Sequence, residues 1–115
     1  MFSVAAVLFA IAAVGGLVMA YMHFMRDRNP PGGLAALHGV LAASALFLLA
    51  WGVLQVGATT YIAWALGLFV VAALGGFFLL SFDLRGKRFP SPVVVIHALV
   101  AVVAFVLLLA GVFAL

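Results

Sequence analysis

The sequence predicts an all-α membrane protein, a four-transmembrane-helix bundle built from two parallel, pseudo-two-fold-related helical hairpins. Three observations lead there. The chain of 115 residues is 70% hydrophobic and 6% charged, with a mean hydropathy of +1.51. A domain this small has too little interior to hide that much apolar surface from water. Four apolar stretches, 2–25, 34–56, 61–82 and 93–115, each approach the ~20 residues a helix needs to cross the hydrocarbon core. Finally, the second half of the chain repeats the landmarks of the first.

The first stretch lacks the basic n-region of a secretory signal and is too long for an h-region, so it reads as a retained span. The second and fourth follow Asn29-Pro30-Pro31-Gly32-Gly33 and Phe89-Pro90-Ser91-Pro92, where fixed φ, missing donors and turn-formers stop a helix. Ser91 is expected as the N-cap of span four, with Pro92 at its first helical position. Every charged residue lies in Arg26-Asp27-Arg28 or in the stretch 83–88, the two connections on one side of the membrane. They carry five cations and two acids, the whole formal charge of +3. The positive-inside rule makes these loops cytoplasmic and both termini periplasmic, in a bacterial inner membrane. Trp51, Tyr61 and Trp64 flank the uncharged connection, as an outer aromatic belt would. The basic balance reflects topology and anionic lipid headgroups rather than nucleic acid.

A shift of about sixty residues superposes Phe9 on Phe69 and Gly15-Gly16 on Gly75-Gly76. One residue fewer in the second basic loop then brings His38 onto His97, Ala42 onto Ala101 and Ala45 onto Ala104. The chain is thus one domain, 1–115, with an internal repeat of 1–56 and 61–115. Its halves point the same way and are related by an axis along the membrane normal.

In a bundle packed in chain order, spans two and four face each other across a diagonal of roughly 12–14 Å. That is too wide for two histidines to touch, and it suits two imidazoles with a metalloporphyrin iron between them. His38 and His97 are therefore the expected metal ligands of a haem b. Ala42, Ala45, Ala101 and Ala104 would clear space beside them, and Gly16 and Gly76 would let the flat ring press on helix backbone. Arg26, Arg28, Arg85, Lys87 and Arg88 would reach the propionates. His23, at the cytoplasmic end of span one, would bond Asp83 or a propionate, or replace a ligand. Met19, Met22 and Met25 lie near the same end. Each feature also has a plainer reading: an interfacial histidine reaching water, small residues for helix packing, basic loops as topology signals.

Other chemistries are poorly supplied. With no cysteine there are no disulfides or thiolate sites. No carboxylate lies within a span to drive a proton-coupled carrier. No serine has a histidine and acid arranged around it, and there is no phosphate-binding loop.

In helix number and in paired histidines on non-adjacent helices, the layout resembles four-helix membrane b-type cytochromes of the b561-like group. It departs from them in having no second histidine pair near the opposite face. The resemblance implies one haem serving one leaflet and electron exchange with quinone or a membrane redox complex, in a non-enzymatic role. The reading from another class is a structural or assembly subunit of a larger membrane complex without cofactor. Self-association into a homo-oligomer is also expected, from the thin bundle and its many small residues.

Overall fold

A computed structural model describes residues 1–113. The last two residues of the expected fourth span lie outside them. Four helices follow in order: α1 (Phe2–Met25), α2 (Gly32–Val56), α3 (Thr60–Leu84) and α4 (Ser91–Val112). All four are long and apolar enough to cross a membrane. In a medium without water the helix is the element that satisfies its own backbone groups. The assembly measures 42 × 20 × 19 Å, long enough for a ~30 Å hydrocarbon core and its interfaces.

The helix ends follow local chemistry. Thr59 caps α3, its hydroxyl accepting from the Ile62 N–H at 3.3 Å. Gly57, with φ +80°, ends α2 in a conformation that costs glycine little. At the charged end, Asp27 and Gly86 both adopt positive φ, +52° and +68°. Aspartate is among the few side chains that tolerate this region. Helix α4 begins one residue earlier than expected: Pro90 is the N-cap and Ser91 already helical, its hydroxyl being bonded to His23 instead of capping.

The basic connections are 26–31 and 85–90, equal in length. Nine residues separate Gly16 from the end of α1 and eight separate Gly76 from the end of α3, so the one-residue offset expected in the second loop falls before the connections instead. Helices α2 and α4 also start earlier than their apolar stretches, at Gly32 and Ser91. His38 and His97 each stand six residues along, about 9 Å from the helix start at 1.5 Å per residue.

Each hairpin is tightly packed within itself, α1 on α2 and α3 on α4. Contact between hairpins, α2 with α3 and α1 with α4, is sparser. The main core occupies the half of the bundle away from the charges. It gathers Ala5, Ala6 and Phe9 with Ala45 and Leu49 from α2, then Ile62, Ala65 and Phe69 with Ala104 and Leu108 from α4. Small side chains let the helices approach closely. Where α1 meets α3, the Phe9 and Phe69 rings stack with centroids 3.7 Å apart and planes 1° from parallel. The outward faces are apolar, with Val14, Leu17, Phe47 and Val40 exposed as lipid-contacting residues would be. Trp51, Tyr61 and Trp64 are exposed around the uncharged connection, as an aromatic belt requires.

Candidate functional site

On the charged side of the Phe9–Phe69 stack the packing changes. His38 and His97 reach into the bundle from opposite hairpins, their ring centroids 6.4 Å apart and their planes at 79°. Both are only half-buried.

Each imidazole lies on the backbone of the neighbouring helix in its own hairpin. A methyl group at Gly16 would sit 3.1 Å from His38 Cε1, and one at Gly76 would sit 3.3 Å from His97 Cε1. Gly15 and Gly75 border the same rings, at 3.8 Å from His38 Cβ and 3.4 Å from His97 Nδ1. The glycine pairs thus seat the imidazoles, where the sequence reading gave their space to a porphyrin. Any bound ring would feel them through the histidines.

The seat fixes the His38 ring. Its Nδ1 donates to the Ala12 carbonyl at 2.8 Å, which leaves Nε2 with a free lone pair. A metal-binding histidine has this arrangement, the second nitrogen tied to a carbonyl that orients the ring and raises its basicity. Ala12 is buried in α1, and Ala72, sixty residues on, is buried in α3. His97 differs: its Nδ1 is buried without a hydrogen-bond partner of ordinary geometry, although the Ala72 carbonyl is close enough to act on it.

Magnitudes limit what the pair can hold. Two imidazoles on opposite sides of one metal, with metal–nitrogen bonds of about 2 Å, have centroids about 6 Å apart. The observed 6.4 Å matches that span. A quinone bonded at both carbonyls by the two rings would need about 13 Å, from N···O distances of about 2.8 Å. By spacing the pair is compatible with a single bridging atom and not with a bridging quinone. Among the described residues no cluster of three or more His, Asp or Glu gathers, so two ring nitrogens are all the protein offers there.

The other expected site residues divide. Ala42 and Ala101 are half-buried beside the rings, whereas Ala45 and Ala104 are fully enclosed in the main core and serve packing. Arg85 folds back on its own helix end, onto Ser81 and 4.7 Å above the Phe82 ring centroid. Arg88 crosses to the first loop, pairing with the Asp27 carboxylate at 3.1 Å and bonding its carbonyl. Arg26, Arg28 and Lys87 are exposed.

His23 does not meet Asp83. It is buried at 4% exposure under the loops, with Nε2 2.9 Å from Ser91 Oγ and Arg88 Nη2 3.3 Å from Nδ1. The guanidinium has only donors, so Nδ1 accepts and the Nε2–H goes to the serine. Both nitrogens are thereby occupied, and His23 is not a free ligand in this arrangement. Asp83 instead accepts from Asn29 at 3.4 Å. Asn29 also donates to the Lys87 carbonyl at 2.8 Å and accepts from the Phe89 N–H at 3.1 Å, stitching the loops together. Composition gave no sign of this latch. Nor did it reveal the Ala12 carbonyl, a backbone group whose role depends only on helix register.

No family model matches the chain, and no curated protein or solved structure matches it either, so the site is read from its own residues.

Proposed function

We propose that this is a small integral-membrane b-type haem protein in which His38 and His97 would hold the iron. The observation that carries the reading is the pair itself: two inward imidazoles at the spacing of a single-metal bridge, one tied through Nδ1 to a backbone carbonyl. The sparse contact between hairpins supports it further, since His38 and His97 come from opposite hairpins and a group held by both would sit at their seam. In this reading the hairpins are a duplicated unit about a pseudo-two-fold axis. Matching seats of His38 on Gly16 and His97 on Gly76 support that relation.

The haem iron would supply one-electron transfer, with two nitrogen ligands favouring that over oxygen chemistry. The protein's own residues do the remaining work. Gly15, Gly16, Gly75 and Gly76 seat the ligands, Ala42 and Ala101 leave room beside them, and the Phe9–Phe69 stack closes the outer side. Arg26, Arg28 and Lys87, exposed at the charged end, are the cations available to propionates or lipid phosphates. With the basic loops in the cytoplasm of a bacterium, the site lies in the inner leaflet. Its partner there is quinone or a membrane redox complex.

The test is an absorption spectrum of the protein purified in mild detergent. A Soret band with sharp reduced α and β bands is expected, and this low-spin spectrum should be lost in both His38→Ala and His97→Ala. A wild-type protein that stays colourless after haem is supplied refutes the reading and leaves a cofactor-free subunit of a larger complex. Unchanged spectra in both variants would refute the ligand assignment.

A further inference from the structure

The two imidazoles are held unequally, and that inequality bears on what else the site can take. His38 Nδ1 is anchored to the Ala12 carbonyl at 2.8 Å, whereas the buried His97 Nδ1 lies near the Ala72 carbonyl without a hydrogen bond of ordinary geometry. An anchored ring has one tautomer, one orientation and a more basic Nε2; an unanchored ring has none of these fixed. The seats themselves are nearly alike, at 3.1 and 3.3 Å, so steric fit does not offset the difference.

From this asymmetry we infer that His97 is the displaceable member of the pair, and that the α4 side of the site admits a small neutral diatomic ligand in its place. This inference rests on the haem reading above. His38 then remains as the permanent ligand on the α2 side. In such an exchange the His97 ring gives up no well-formed hydrogen bond at Nδ1, whereas displacing His38 would break the bond to Ala12. Carbon monoxide is the suitable probe, because it binds reduced iron without changing the electron count.

Two measurements test it. In the protein without haem, ¹⁵N-histidine NMR should show His38 as a single tautomer protonated at Nδ1, and His97 as a mixture or as the Nε2–H form. Fixed Nδ1–H signals from both rings would overturn the inference without touching the haem reading. In the haem-loaded, reduced protein, carbon monoxide should shift the Soret band. His97→Ala should retain haem as a five-coordinate species that binds carbon monoxide, whereas His38→Ala should bind haem at least about ten-fold more weakly than His97→Ala. Helix content by circular dichroism separates haem loss from unfolding. Equal retention in the two variants, the reverse order, or a wild-type spectrum indifferent to carbon monoxide would each overturn the inference while the haem stands. A wild type that takes up no haem removes both.

Discussion

Gly16→Ala is the smallest change that reaches the site. Its new methyl would stand 3.1 Å from His38 Cε1 and 3.5 Å from Nδ1. Carbon contacts relax to about 3.5–4.0 Å, so the ring must back away by roughly half an ångström. The neighbour opposing that movement is the ring's own bond to Ala12, which starts at 2.8 Å and would be pulled towards the limit of about 3.2 Å. Losing much of one net hydrogen bond costs about 0.5–1.5 kcal/mol, or roughly two- to twelve-fold in haem affinity. Gly16→Leu cannot be absorbed this way. It evicts the ring, adding about 1–3 kcal/mol of overpacking to about 1–3 kcal/mol for an unpaired buried nitrogen, at least about thirty-fold in all. Gly39→Leu and Gly67→Leu are the controls, since a side chain at either glycine meets nothing within 4 Å. Leucine favours membrane insertion in all of these variants. The assay is the haem-to-protein ratio after purification, beside the His38 ¹⁵N signal of the haem-free protein. Wild-type values of both in Gly16→Leu would refute the seat. Equal losses of haem and of inserted protein would mean that the glycine serves helix packing alone.

Three further outcomes follow from the geometry. Under the haem reading, imidazole planes at 79° should give the oxidised, haem-loaded protein a strongly anisotropic low-spin EPR signal with a large leading g value; a well-resolved rhombic signal would mean nearly parallel rings. Asn29→Ala, which removes two bonds to the second loop and one to the end of α3, should lower thermal stability in detergent by about 1–3 kcal/mol, whereas removing the exposed Asp27 carboxylate should change little. The reverse order would place the latch in the ion pair. With the basic loops cytoplasmic, a cysteine at Lys87 should be shielded from an impermeant thiol reagent in intact cells and one at Thr59 labelled; the opposite pattern would move the site to the outer leaflet.

The helices were legible because hydropathy and proline are read locally: four apolar stretches and two proline-bearing loops fix four spans to within about two residues. The histidine pair was legible as a coincidence of position in two halves. Its surroundings were not. Whether Gly16 meets a porphyrin or an imidazole depends on how α1 rotates against α2, and Ala12 acts through a carbonyl that every residue possesses. Ala45 and Ala104 look like Ala42 and Ala101 in sequence, yet one turn of helix moves them from the site's edge into the closed core. His23 was paired with Asp83 by repeat register, but Asn29 holds that carboxylate and Ser91 lies nearer the ring. In the sequence Asn29 reads only as part of a turn.

The two ends of the bundle are fastened by different physics, and the site lies between them. Away from the charges, interlocking apolar side chains and the Phe9–Phe69 stack hold the hairpins together. At the charged end, Asn29 and Arg88 hold the loops, because water there leaves apolar packing less to work with and lets polar groups pair at small desolvation cost. Neither fastening requires anything to occupy the space between His38 and His97. The helices that carry the two imidazoles are therefore positioned by contacts elsewhere in the bundle, and under the proposed haem reading the His38 ring alone is already oriented before a ligand arrives. The cost of this arrangement falls on polar groups in a low-dielectric interior. His38 meets it through Ala12, while the Nδ1 of His97 stays buried and unpaired.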